Sequence, residues 1–477
     1  MNILIINGSP KGKYSITLQT LNYLALKYPE HSYKVIHAGQ LIKKFQRDFT
    51  SAKESISWAE LIIFSYPVYT FIAPSQLHRF IELMKENQVD VKGKFATQIT
   101  TSKHFWDVTA HRYIEDNCHD MGMKFVKGLS ADMDDLTTEK GQKDAIDFFK
   151  YVLWCKENDY SEPIVPFAEP KALSSVTVPE AKDEKGRGDV VIVADLKEGD
   201  TQLSHMINRF RAVLPIHSRV VNIAEYPFKG GCLGCFNCAV DGKCVYKDGF
   251  DEFLRKEIQS ADAIVYAFTI KDHSLGSTFK MYDDRQFCNG HRTVTMGMPV
   301  AYLVSGEYSK EMNLRMILEG RAEVGGNFLA GIASDEFNAD SSIDRMADTL
   351  MYALKNSYIQ PANFYGVGGM KIFRDLIYVM QGMMKADHKF YKEHGQYDFP
   401  QKQKGRLVAM YLVGAMLSSD KIKSKMGNKM NEGMLMPYKK LMDKARKESG
   451  KAKIKKTKTV ANIKAEKSED KDVIEVV

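Results

Sequence analysis

A chain of 477 residues is longer than one hydrophobic core usually fills and implies two or three domains. Its 44% hydrophobic and 27% charged residues are those of a globular protein, and no apolar run reaches the roughly eighteen residues a membrane span needs. The formal charge of +7 is concentrated in residues 444–458, which read as a solvated tail rather than a nucleic-acid or lipid site because no aromatics interleave.

In chain order, MNILIIN reads as a strand, GSPKGKYS as a turn of small residues and residues 16–27 as a helix. Strands SYKVIHAG and AELIIFSYPVY follow, then a helix over 75–85, strand KFATQITTS and a helix over 109–121. Apolar runs without alternation, separated by helices, predict a parallel sheet buried on both faces. After EPIVPFAEPKALSSVTVPEAKDEKGRG, rich in proline, the pattern restarts: GDVVIVADLKEGD, a helix over 202–213, SRVVNIAEYPF, SADAIVYAFTIKDHS, MPVAYLVSGE and a helix in MNLRMILEGRAEVGG. The matching order and spacing indicate an internal duplication.

From about Pro361 the chain becomes helical, Met-rich and basic, as in FYGVGGMKIFRDLIYVMQGMMKADHKFYKEHGQYDF. The expectation is a helical cap on the second half, with Met as core filler; nothing in the sequence argues specifically for a cofactor or quinone pocket there. The expected organisation is a first α/β domain (1–157), a linker (158–187), a second α/β domain (188–358), the cap (359–440) and a basic, disordered tail (441–477). The absence of a signal-peptide pattern before MNILIIN and an odd count of seven cysteines, four of them clustered, point to a reducing cytoplasm. Metal or redox use of the thiols is then favoured over disulfides.

The cluster is Cys232, Cys235, Cys238 and Cys244, in KGGCLGCFNCAVDGKCVYKD. Four thiols so close in sequence can hold one inorganic centre, and the repeated two-residue gaps favour an iron–sulfur cluster over zinc, with free thiols third. Cys118, Cys155 and Cys288 stand apart and read as buried apolar residues.

A second signal follows the first strand. Asn7-Gly8-Ser9-Pro10-Lys11-Gly12-Lys13-Tyr14-Ser15-Ile16-Thr17 places hydroxyls, backbone N–H groups and two lysines at a helix N-terminus, where a phosphate binds well. Neither G-x-G-x-x-G nor G-x-x-x-x-G-K-[ST] occurs, and an ordinary N-cap explains the same residues. The third strand ends in SYPVYTFIAPSQL, so Tyr66, Tyr69 and Phe71 are candidates to flank a planar ring. The fourth ends in Thr100-Thr101-Ser102-Lys103, suited to an electron-rich ring edge.

Together NGSPKGKYSITLQTL, SYPVYTFIAPSQLHRFIE and this polar loop resemble the NADPH-dependent FMN reductases of the flavodoxin-like proteins, and the cysteine run resembles the iron–sulfur flavoproteins of that superfamily. The resemblance covers about residues 1–150 for the flavin pattern and 188–335 for the cysteine-bearing repeat. It implies two flavodoxin-like doubly wound α/β domains. It implies that Ser9, Lys11, Ser15 and Thr17 hold the FMN phosphate, that Pro67, Val68, Tyr69 and Thr70 line the flavin ring and that Thr101 and Ser102 lie near its polar edge. It also implies a 4Fe–4S cluster on the four cysteines.

The chain departs from the family in dividing these parts. The second half's equivalent loop, residues 194–201, carries three carboxylates and lacks the Gly-Ser-Pro turn, and the first half has no cysteine run. The expectation is that the halves pair like a homodimer, the first keeping the flavin and the second the cluster. His273 and His291 flank the second half's ligand edge, where solvent exposure explains them equally, and Asp283-Asp284-Arg285 reads as a helix-surface pairing.

The resulting expectation is a cytoplasmic flavin-dependent oxidoreductase, with NAD(P)H or ferredoxin as donor and a quinone, a nitro or azo compound, oxygen or a protein as acceptor. No catalytic side chain is singled out, nucleic acid is not an expected partner, and a homodimer is compatible with the chain. Two rivals remain: a plain FMN reductase whose cysteines hold zinc or stay free, and a non-catalytic, redox-sensing flavin-binding protein.

Overall fold

The computed structural model describes residues 1–163, 173–180 and 185–417. The basic tail, residues 418–440 of the expected cap and parts of the linker lie outside the described residues. Residues 1–397 form one unit; residues 398–477 are a second, in which α15 (Lys404–Leu417) is described.

The first half contains β1 (Asn2–Asn7), α1 (Ile16–Lys27), β2 (Ser32–Ile36), α2 (Ala38–Phe45), α3 (Thr50–Trp58), β3 (Leu61–Pro67), α4 (Ser75–Glu86), β4 (Phe95–Ser102), α5 (Asp107–Asp120), β5 (Lys124–Phe125), β6 (Leu129–Asp132) and α6 (Glu139–Glu157). The strands are all parallel, in the order 2-1-3-4-5, with β6 also on β4. The apolar runs Ile3 to Ile6 and Leu61 to Phe64 are buried because both sheet faces are covered, one by the cluster containing Phe45, Phe80 and Tyr113 and the other by that containing Leu21, Phe149 and Val152.

The second half repeats the plan with β7 (Gly186–Ala194), α7 (Thr201–Val213), β8 (Ile216–Asn222), the short α8 (Cys238–Asp241) and α9 (Phe250–Phe253), β9 (Ala263–Thr269), α10 (Gly276–Arg285), β10 (Pro299–Ser305), α11 (Met312–Gly325), β11 (Phe328–Ser334) and α12 (Ala339–Asn356). Its sheet, also parallel, has the order β8-β7-β9-β10-β11, again 2-1-3-4-5 counted within the half. Both halves are therefore flavodoxin-like, as a tandem duplication. The sequence reading ran the second strand through His37 and Gly39. In the structure β2 stops at Ile36, and Ala38 and Gly39 already belong to α2.

The two halves meet through α4 and α10 in a self-complementary way. The Ser75 backbone N–H donates to Asp284 Oδ2 at 2.8 Å, and at the corresponding positions the Ser277 N–H donates to Glu82 Oε1, also at 2.8 Å. The turns before these helices match as well: Thr70 and Phe71 have φ of 39° and 73°, and Asp272 and His273 have 52° and 62°. Such reciprocal contacts are the signature of a two-fold interface, here between halves of one chain.

This interface corrects two readings. Asp283, Asp284 and Arg285 do not lie on a helix surface; all three are buried, Asp284 against Thr70 and the α4 N-terminus of the first half and Arg285 against Asp248 of the second. His273 is explained by ion pairing rather than exposure: it bridges Asp120, at 2.9 Å, and Glu311, at 3.0 Å.

The helices α13 (Phe364–Val379) and α14 (Lys385–Glu393) follow. They were expected on the second half alone, but they span both: α13 packs against α11, while Phe373 stacks on Phe105 of the first half at 4.4 Å. Among the described residues no helix is long and apolar enough to cross a membrane.

Candidate functional site

The loop between β1 and α1 is held rigidly. Asn7 Nδ2 donates to the Gly12 carbonyl at 2.8 Å, Asn7 Oδ1 accepts from the Ser9 N–H and Ser9 Oγ accepts from the Lys11 N–H. Ser15 caps α1 by accepting from the Leu18 N–H. Gly39 of α2 packs so closely under the loop that a Cβ there would stand 2.2 Å from the Gly8 carbonyl oxygen. The fold thus aims the free N–H groups of the α1 N-terminus across a preformed cradle. Ser9, Lys11, Ser15 and Thr17 border it; Lys13, counted as a source of charge, lies instead over the Tyr14 ring.

The β3 end forms the next wall. Pro67, Val68, Tyr69 and Thr70 border the same space, where a tight turn closes with paired backbone bonds between Tyr69 and Ile72. Phe71 also lines it, packed on Phe105 and Trp106. Tyr66 does not: it is wholly buried, and its hydroxyl donates toward Gln98 Oε1 and the Ala110 carbonyl, because its position on β3 faces the core. Thr101 and Ser102 line the cavity from β4. Lys103 does too, but its charge is taken up by Asp132 at 2.6 Å and Asp134 at 3.2 Å, so it does not offer a free cation to a ring edge.

The cysteine loop closes over this wall. Gln76 Nε2 donates to the Cys232 carbonyl at 3.2 Å, Gly231 is in contact with Ser75 and Gln76, and Gly234, at φ +59°, runs against the Tyr69 hydroxyl. Cys232, Cys235, Cys238 and Cys244 border the same cavity of about 410 Å³ as every residue expected to hold flavin. A cavity of this size lies within the usual range for a small-molecule or cofactor site.

All four cysteines are free thiols. Cys238 Sγ donates to the Phe287 carbonyl at 2.9 Å; burial pushes the Cys232 thiol well up and that of Cys238 up to about 11. The donor set is chemically that of an iron–sulfur or zinc site, four thiols of one loop facing one cavity. They are not drawn together as ligands here: among the described residues no group of three or more His, Cys, Asp or Glu is arranged to hold a metal ion. Cys118, Cys155 and Cys288 are buried as expected, and Cys288 also borders the cavity beside the cysteine run.

Several contributors escaped the sequence reading. Lys280, fully buried on α10, donates to the Tyr69 carbonyl at 2.9 Å, to Thr70 Oγ1 and to Asp284, and Thr70 Oγ1 donates to Asp284 Oδ1 at 2.7 Å. The second half therefore fixes the ring-wall loop of the first. Burial raises the Asp284 pKa against the pull of Lys280, while Asp283, equally buried, is held below the usual carboxylate range by Arg321 and Lys280. Arg321 of α11 borders the cavity with its guanidinium over the Phe71 ring at 5.8 Å, and its buried Nη1 has no hydrogen-bond partner. No local motif marks these residues, since the first-half partners of Lys280 and Asp284 lie some 200 positions away.

The equivalent loop of the second half is differently committed. Asp195 is buried and Asn222 bonds both the N–H and the carbonyl of Leu196. Lys271 and Asp272 pair with Glu82 and Lys85 of the first half, so the place corresponding to the Tyr69–Thr70 wall is occupied by an interface.

Residues 1–146 match the model of a family described as having a flavodoxin-like fold. No curated protein matches the chain. Among solved structures, general stress protein 14 of Treponema denticola in complex with FMN is similar at 12% identity over 32% of this chain and 99% of its own, with a TM-score of 0.27. An NAD(P)H:quinone oxidoreductase of Methanothermobacter marburgensis is similar at 13% identity over 35% and 99%, TM-score 0.26, and an FMN-dependent NADH-azoreductase of Bacillus anthracis at 14% over 33% and 99%, TM-score 0.25. At these scores the likenesses do not bear on function.

Proposed function

We propose that this chain is a flavin-dependent oxidoreductase that binds FMN between its two halves and passes electrons through a 4Fe–4S cluster on Cys232, Cys235, Cys238 and Cys244. The reading rests on one observation: residues singled out for a phosphate, a flavin ring and a cluster, from segments far apart in sequence, all border one cavity. The fit to FMN is supported by the braced N–H cradle at α1 and by the aromatic and apolar wall around Tyr69 and Phe71.

In this reading Ser9, Lys11, Ser15 and Thr17 hold the phosphate and Pro67, Val68, Tyr69 and Thr70 form the ring wall, with Thr101 and Ser102 at its polar edge. Lys280 and Asp284 keep that wall in place, and the cysteine loop excludes water from it. Bound FMN supplies uptake of two electrons together and release of single ones. NAD(P)H or ferredoxin is the donor, and a quinone, a nitro or azo compound or a protein the acceptor.

The test is the absorption spectrum, iron and acid-labile sulfide content of protein purified without oxygen, followed by NAD(P)H oxidation. Flavin with iron and sulfide supports the full reading. Flavin with zinc or no metal reduces it to an FMN reductase, and absence of flavin overturns it in favour of a binding protein.

A further inference from the structure

Asp387 projects from α14, in the segment that follows the two repeats, and is fully buried while bordering the cavity. Its Oδ1 accepts from the His291 backbone N–H at 3.1 Å and lies 3.5 Å from Arg292 Nε. Its Oδ2 has no hydrogen-bond partner, and neither has His291 Nδ1, 3.9 Å away and also buried. Gly290, at φ +61°, allows the approach: a Cβ there would stand 2.2 Å from Asp387 Oδ1. A fold rarely keeps a buried carboxylate oxygen and a buried ring nitrogen side by side without partners, since each has lost its water.

One side of this pair is apolar. Ile372, Phe373, Leu376, Met380 and Met384 border the cavity beside it, and the His291 ring stands edge-on to Phe373 at 4.8 Å. Asp387 is the only carboxylate among the described residues bordering the cavity, so a divalent cation at Asp387 would have to share the cysteine thiols that the functional reading assigns to the cluster. Arg292 beside it already offsets its charge against a monovalent cation. The complement is a neutral hydrogen-bond donor on a flat apolar body.

We propose that the compartment walled by α13, α14 and residues 289–295 is a subsite for a hydroxyl-bearing aromatic ligand. The hydroxyl donates to Asp387 Oδ2 and the ring lies against Phe373, Leu376 and Met384. This goes beyond the functional reading, whose quinone, nitro or azo acceptors need carry no hydroxyl, and the ligand's binding does not rest on that reading.

The experiment is titration calorimetry of the full chain with 2-naphthol and with 2-methoxynaphthalene, which keeps the ring and the acceptor but lacks the donor. Flavin content is measured on the same samples. The expected result is a Kd for 2-naphthol at least about tenfold lower, as for a buried acceptor that is otherwise left unpaired. Asp387→Asn, which replaces an acceptor by an amide, is expected to bring the two Kd values within about twofold at unchanged flavin content. Equal affinity for the two probes in the unaltered protein, binding of neither, or a preference that survives Asp387→Asn would overturn the proposal. The two-probe comparison stands whether or not the variant folds. A preparation without flavin that still prefers 2-naphthol would sink the oxidoreductase reading and keep the subsite.

Discussion

Replacing Lys280 by Met isolates the contribution of the second half to the Tyr69–Thr70 wall of the cavity. The side chain is fully buried and its ammonium serves four oxygens: the Tyr69 carbonyl, Thr70 Oγ1, Asp284 and, at 3.5 Å, Asp283. Removing one partner of a buried ion pair leaves the other charge uncompensated and typically costs ~3–5 kcal/mol. Asp284 retains the Ser75 N–H and the Thr70 hydroxyl, so the lower end, about 3 kcal/mol, is expected for Lys280→Met. In urea, with a slope of ~1–3 kcal/mol per molar, that moves the unfolding midpoint down by about 1 M or more. Flavin affinity should fall with it, because the Tyr69–Thr70 turn loses its anchor. In the double variant Lys280→Met/Asp284→Leu no charge is left unpaired, since Asp283 keeps Arg321. The remaining loss is that of the acceptor at the α4 N-terminus, about 1 kcal/mol. A single variant costing under about 1 kcal/mol, or a double variant costing the sum of the singles, would refute the reasoning.

Four further outcomes are expected. Burial opposes the charge on His273, yet its hydrogen bonds to Asp120 and Glu311 push its pKa up to about 10 from the usual 6.5. The stability it contributes is complete below about 6.5 and is lost as pH rises toward 10. Unfolding followed between pH 6 and 10.5 should therefore show a decline that His273→Gln flattens. Gly39→Ala drives a methyl group against the Gly8 carbonyl and should weaken flavin binding about tenfold or more by fluorescence titration, with a loss of ~1–3 kcal/mol in stability. Gly234→Ala, whose Cβ would overlap the Tyr69 hydroxyl, should lower flavin affinity without changing the unfolding of the second half; an unchanged Kd would refute the contact. Cys235→Ala should retain FMN yet lose one-electron delivery to an artificial acceptor, and unchanged delivery would sink the relay through the cysteine loop.

The duplication, the parallel sheets and the separate flavin and cysteine signals were legible in the sequence. Each rests on local pattern: apolar runs such as Ile3 to Ile6 that must be buried on both faces, a turn-and-helix start at Ser15, and thiols spaced within one loop. Tyr66 was misjudged because the alternation of a strand decides which of two neighbouring side chains faces the core, and a run buried on both faces gives no alternation to read.

Only the tertiary structure decided what lies across from what. Lys280, Asp284 and Arg321 look like ordinary helix-surface charges until α10 and α11 are packed against the first half, where burial without partners would be prohibitive and the pairs Lys280–Asp284 and Arg321–Asp283 offset the cost. In the same way Asp387 and His291, far apart in the chain, become one cavity wall through the return of α14. Sequence fixes periodicity and local chemistry because these depend on neighbours along the chain; the convergence of the phosphate loop, ring wall, cysteine loop and cap depends on long-range packing, which no short stretch encodes.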